Sequence, residues 1–160
     1  MYSEEHAHWH LADVARFEIR IALDGGKQGL WGEVVRERSK ETMCLLDFYK
    51  LEDPAAEKGE YAECAPRVQG ISPGWVDQYY KVLPGQQLDV TGLPAGTYYL
   101  ITRANPERRL LERTPDNNAA WVSFQLTRDH EGAPRLALLG HSPCDTPGMC
   151  GAQSLPPAVP

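Results

Sequence analysis

Three of the chain's 5 histidines fall within one short stretch, Glu5-His6-Ala7-His8-Trp9-His10. The alternation matters because side chains at i, i+2 and i+4 of an extended strand project to one side. Their Cα atoms are then roughly 6–7 Å apart, and the imidazoles can converge on one ion if the strand bends a little. Imidazole suits copper, zinc, iron or nickel, and raw affinity is highest for Cu(II). The spacing predicts a metal, copper foremost, held by His6, His8 and His10. Ala7 and Trp9 would face the other way, with Trp9 available to a core. The plainer reading is a chance histidine run at a frayed terminus. The strict alternation, leading into strand-like sequence, argues against that.

The elements that must position such a site read as strands. Phe17, Ile19, Ile21 and Leu23 alternate with Glu18, Arg20 and Ala22, a period of two, and Asp24-Gly25-Gly26 ends the run as a turn. Met43 to Tyr49 reads as a second strand, whereas Leu51 to Gln69 has no period. A loop of that length inside a compact domain is usually functional or tethered. Leu88 and Val90 alternate with Asp89 and Thr91, Pro94-Ala95-Gly96 suits a tight turn, and Thr97 to Arg103 is β-branched and aromatic. Val122, Phe124 and Leu126 alternate with polar neighbours, and Arg135 to Leu139 reads as a last strand. Strands recurring this often, with turns between, predict an all-β fold: a β-sandwich of short antiparallel strands with long irregular loops. The expected organisation is one domain over residues 1–141 and a Pro-, Gly- and Cys-rich flexible tail over 142–160.

Composition narrows the function classes. A length of 160 residues fits one domain, and 14 glycines with 13 prolines favour turns and short strands over long helices. A net charge of -6 and a pI near 5.3 argue against a nucleic-acid partner, whose phosphates call for Lys and Arg. No apolar run approaches the roughly 20 residues needed to span a bilayer. The opening Met1-Tyr2-Ser3-Glu4-Glu5 is acidic, so no signal peptide is visible. The 4 cysteines, Cys44, Cys64, Cys144 and Cys150, allow three disulfide connectivities.

Three further segments carry a resemblance. Ser39-Lys40-Glu41-Thr42-Met43-Cys44-Leu45-Leu46-Asp47 places a lysine upstream of a cysteine that opens a C-L-x-D stretch. Cys64-Ala65-Pro66-Arg67-Val68-Gln69-Gly70-Ile71-Ser72-Pro73-Gly74 continues through Trp75-Val76-Asp77-Gln78-Tyr79. Leu88-Asp89-Val90-Thr91 leads through Pro94-Ala95-Gly96-Thr97-Tyr98 to Asn105-Pro106 and Asp116-Asn117-Asn118. Together with the histidine triplet, these resemble the lysyl oxidase family over roughly His6 to Leu126. The Gln-Gly-Ile-Ser-Pro-Gly…Asp…Tyr block behind H-x-H-x-H is the specific part. The Asn-Pro…Asn-Asn segment also suits a common turn-and-strand scaffold.

The resemblance implies that His6, His8 and His10 are copper ligands, and that Lys40 and Tyr79 crosslink to form lysine tyrosylquinone. It implies a Cys44–Cys64 disulfide, and it makes Asp13 the candidate general base. The implied reaction is oxidative deamination of a primary amine, a small molecule or a lysine-containing protein, by dioxygen. Products would be an aldehyde, ammonia and hydrogen peroxide, in an extracellular or periplasmic setting. The chemistry needs such a cofactor, because no ordinary side chain accepts two electrons from an amine, whereas a quinone does. Family domains carry more sequence ahead of the triplet, so a chain lacking upstream strands is expected. Each residue also has a bland role: Lys40 a solvated lysine, Tyr79 a strand aromatic, Asp13 a cap. A different function class, a non-catalytic secreted β-sandwich module binding metal or another protein, is the alternative.

Overall fold

The computed structural model describes residues 2–4, 7–40, 44–50, 58–65, 67–79 and 85–143, without the side chain of His8. Its strands are β1 (Tyr2–Ser3), β2 (His8–Trp9), β3 (Ala15–Ala22), β4 (Trp31–Ser39), β5 (Tyr49–Lys50), β6 (Trp75–Val76), β7 (Gly96–Ala104), β8 (Ala119–Arg128) and β9 (Pro134–His141). Pro115–Asn117 forms a short 3-10 helix. The fold is all-β, as the alternating sequence predicts. Among the described residues two compact units result: a larger one from Val14–Ser39 and residues 88–143, and a smaller one from the residues through Asp13 together with Lys40–Gln87.

The larger unit is a five-stranded antiparallel sheet in the order β4-β3-β7-β8-β9. The period-two pattern sorts its side chains onto two faces. On one face Ile19, Tyr98, Phe124 and Leu126 form the core with Leu93, and Ile21, Val35, Leu88, Val90 and Leu100 pack around them. On the other face Tyr99 is fully buried and meets the rings of Trp31 and Trp121 edge-on. The Tyr99 hydroxyl donates to the Asp24 carboxylate at 2.8 Å, and the backbone N–H groups of Gly26, Gln28 and Leu30 donate to the same carboxylate. Burial alone would raise the Asp24 carboxyl. These hydrogen bonds outweigh it and hold the group well below the usual carboxylate range. The turn after β3 is thus organised by one ionised side chain.

Two features depart from the sequence reading. β4 carries charge on both faces (Glu33, Arg36, Glu37 and Arg38) and lies at the sheet edge, so it shows no clean alternation. Leu88–Thr91, expected to be a strand, is an irregular strap. Its carbonyls are taken by side chains instead of a neighbouring strand. Arg36 donates to Asp89 and Thr91, and Arg128 to Val90 and Leu93, at 2.8–3.1 Å. Both guanidiniums thereby press Leu88, Val90 and Leu93 onto the core.

Leu126 is wholly buried and Leu111 wholly exposed. Leu126→Ala should destabilise the chain by about 2–5 kcal/mol in urea unfolding. Leu111→Ala should stay within about 0.5 kcal/mol of wild type. Equal effects would contradict this assignment of the core.

Candidate active site

The smaller unit is organised by short pairings and side-chain hubs. Tyr49 pairs with Val76 and Lys50 with Trp75, and the Phe48 N–H donates to the Val76 carbonyl at 2.9 Å. This antiparallel register sends the chain after β6 back alongside the residues before β5. The Tyr79 hydroxyl accordingly donates to the Cys44 carbonyl at 2.6 Å. The strand expected over Met43–Tyr49 is realised only at Tyr49, and Met43 lies outside the described residues. Cys44 to Phe48 is irregular because its backbone finds other partners: Leu45 N–H donates to the Gln69 side chain and Asp47 N–H to the Tyr61 carbonyl.

Asp47 and Gln69 explain much of the motif that surrounds them. The buried Asp47 carboxylate accepts the Ser72 N–H and hydroxyl at 2.7 Å each and the Tyr61 N–H at 3.0 Å. Burial would raise its carboxyl, but these donors outweigh burial and leave it depressed. Gln69 accepts from Leu45 and donates to the carbonyls of Trp9 and Ala65, so one amide ties the backbone between His8 and His10 to the residue after Cys44. A Cβ at Gly70 would lie 2.7 Å from the Tyr61 ring. In the turn from Ser72 to Trp75, Pro73 precedes Gly74 at φ 80°, a value that favours glycine, and the Trp75 N–H returns to the Ser72 carbonyl at 2.9 Å. Cys44 and Cys64 are disulfide-bonded with their Cα atoms 5.5 Å apart, the pairing the resemblance implied.

The structure brings Lys40 and Tyr79 together. Lys40 Nζ lies 3.3 Å from the centroid of the Tyr79 ring. A cation over an aromatic face is worth about 0.5–2 kcal/mol, more as water is excluded. Burial lowers the Lys40 amine, and the charge of Asp77 opposes that shift. Burial raises the Asp77 carboxyl, against a hydrogen bond with Tyr79 and the charge of Lys40. Asp77 Oδ2 is buried and has no hydrogen-bond partner among the described residues. Sequence reasoning gave Asp77, Asp47 and Gln69 no role, although all three stand inside the motifs it quoted.

The other expected site residues sit as follows. β2 pairs with β1, Tyr2 opposite Trp9 and Ser3 opposite His8. Ala7 has φ 55°, and among the described residues of the histidine stretch the strand is His8–Trp9. Trp9 is 59% exposed and packs edge-on against Tyr2, not in a core. His10 lines a hollow of about 250 Å³ with Trp9, Leu11, Leu45, Arg67 and Gln69. His6 and the side chain of His8 lie outside the described residues. Among the described residues no three His, Cys, Asp or Glu side chains gather closely enough for a metal. Asp13 occupies a turn at φ 57°. None of the described helices is long and apolar enough to cross a membrane.

Asp47 makes the unit acid-sensitive. Its folded-state pKa is depressed, so its contribution to stability is present above the unfolded value of about 4 and is lost as pH falls through the folded value. Asp47→Asn should be less stable near neutrality and should lose less stability than wild type on acidification below pH about 4. Parallel stability curves for the two proteins would contradict this.

A family profile for lysyl oxidase matches residues 1–132. The chain is 30% identical over 138 residues to lysyl oxidase homolog 1 of Homo sapiens, covering 84% of this chain and 22% of that protein. It is 29% identical over 127 residues to protein-lysine 6-oxidase of Gallus gallus, covering 78% of this chain and 27% of the relative. For protein-lysine 6-oxidase of Sus scrofa the match is also 29% over 127 residues, covering 78% of this chain and 46% of the relative. The chain spans less than half the length of each of these relatives.

Proposed function

The chain belongs to the lysyl oxidase family, and on that premise we propose that it oxidises primary amines, with peptidyl lysine the substrate suggested by relatives named protein-lysine 6-oxidase. The observation that carries the reading is the 3.3 Å approach of Lys40 Nζ to the Tyr79 ring. The nitrogen thus sits over the ring face, next to the carbons it would have to join. The two residues therefore fit the precursors of a lysine tyrosylquinone.

The proposed copper ligands are His6, His8 and His10, whose three imidazoles form a donor set suited to Cu(II). Copper held there would supply the chemistry for oxidising the Tyr79 ring with dioxygen, and a quinone made from Lys40 and Tyr79 would supply the two-electron acceptor for the amine. The remaining work falls to this chain's own groups. Gln69 holds the backbone between His8 and His10, and the Cys44 carbonyl fixes the Tyr79 hydroxyl. The Cys44–Cys64 disulfide closes the intervening loop, a constraint worth about 3 kcal/mol on the chain-entropy view. It also fits an oxidising, secretory setting. Asp13 is the proposed base for the α-proton of the amine. With dioxygen and water as co-reactants, the products are an aldehyde, ammonia and hydrogen peroxide.

Copper-loaded protein should gain a Lys40–Tyr79 crosslinked peptide by mass spectrometry and release peroxide with a primary amine. Lys40→Ala and Tyr79→Phe should each abolish both signals. Replacing His6, His8 and His10 together by alanine should remove tight copper binding in a titration. Full amine oxidation by Lys40→Ala would refute the mechanism. Copper binding without crosslink or turnover would favour a metal-binding module.

A further inference from the structure

We propose that the larger unit carries an oxyanion site of its own, in which Arg16, Arg103 and Arg108 bind the terminal oxygens of one phosphate or sulfate group. The three side chains line a hollow of about 320 Å³ together with Asn105 and Asn118. Arg16 stands on β3 and Arg103 on β7, and the antiparallel register sets them directly opposite each other. Opposed side chains point to the same face with Cβ atoms about 4.5–5.5 Å apart, and like charges in that position repel. The pair costs the sheet stability until an anion lies between the two guanidiniums.

The third guanidinium comes from a turn built to hold it. Among the described residues four non-glycine residues have positive φ, and two of them stand in this turn, Asn105 at 44° and Arg108 at 52°. Such backbone is disfavoured for residues with a side chain, and it persists where the surroundings fix it, often at binding sites. The fixing contacts are local. The buried Asn105 side chain accepts the Leu110 N–H at 3.0 Å and donates to the Leu110 carbonyl at 2.9 Å. The Asn105 N–H donates to the Val14 carbonyl, and the Arg108 N–H to the Asn105 carbonyl. The Glu112 carboxylate is engaged within the turn by the Asn105 and Asn118 amides. Glu107 contacts Arg16, so an internal carboxylate already rests on one of the three guanidiniums. Neither Arg103 nor Arg108 has an ion pair among the described residues. Guanidiniums from three segments match the three terminal oxygens of a phosphate or sulfate group, whereas a carboxylate offers two. The net charge of -6 repels an extended polyanion, which favours one compact group.

The test titrates the full chain, labelled with nitrogen-15, with inorganic phosphate, inorganic sulfate, phenyl phosphate and acetate in turn, with sodium chloride holding the ionic strength constant. Resonances around Arg16, Arg103 and Arg108 should shift saturably with phosphate or sulfate, and acetate should bind at least about tenfold more weakly. Arg103→Gln and Arg108→Gln should each weaken binding of the preferred oxyanion at least about tenfold. Glu107→Gln, which removes the internal competitor, should tighten it by about threefold, the scale of a half-exposed ion pair. In chloride alone Arg103→Gln should unfold at or above the wild-type temperature, because a like charge is gone. Phenyl phosphate binding more tightly than inorganic phosphate supports the site and assigns it to an ester; the reverse order supports it and assigns it to a free ion. Shifts that stay linear with both inorganic oxyanions, or unchanged affinity in both Arg→Gln variants, overturn the proposal. So does acetate that binds as tightly as either oxyanion. Weakened binding joined to a lower unfolding temperature of both variants in chloride also overturns it, because the arginines would then be parts of the scaffold.

Discussion

The carbonyl oxygen of Cys44 accepts the Tyr79 hydroxyl at 2.6 Å, and the sulfur of the same residue is bonded to Cys64. One residue thus anchors the tyrosine through its backbone and the intervening loop through its side chain. Everything distinctive in the smaller unit hangs on that double attachment. Asp47, three positions on, gathers Ser72 and Tyr61, and Gln69 gathers Leu45, Ala65 and Trp9. These hubs replace the ladder that a longer strand would have made. A site built this way holds irregular backbone at fixed separation, which is what a lysine poised over an aromatic ring requires.

The same device recurs in the larger unit. Asp24 organises the turn after β3, and Arg36 and Arg128 hold a strap by its carbonyls. In each case a charged side chain satisfies backbone groups that would otherwise need a neighbouring strand. Single residues then carry much of the local order, so their removal should act locally and sharply, whereas the sheet depends on distributed apolar burial.

The legible parts of this fold are those whose physics is periodic. β3, β7, β8 and β9 showed themselves through alternation or β-branched and aromatic content, although β3, β7 and β8 bury residues on both faces, Tyr98 on one side of β7 and Tyr99 on the other. β4 did not, since an edge strand with charge on both faces has no apolar side to reveal. Leu88–Thr91 alternates for a different reason: Leu88 and Val90 pack on the core while Asp89 and Thr91 face water without strand pairing, and a period of two reports burial, not hydrogen bonding. Lys40 and Tyr79 were legible through the spacing of a family motif. Asp77 stood in the same motif, but the burial of its carboxyl has no local sequence signal. The uniform extension expected across the histidines failed at Ala7, whose left-handed φ has no strong sequence signal at alanine.

The central claim is that the Lys40 amine rests on the face of Tyr79 before any metal or oxidant acts. Nuclear magnetic resonance of the copper-free chain tests it most directly. The ε-methylene protons of Lys40 should be shifted upfield by the ring current and should show nuclear Overhauser contacts to the Tyr79 ring protons. Lys40 ε-protons at the position of an exposed lysine, with no contact to that ring, would contradict the account.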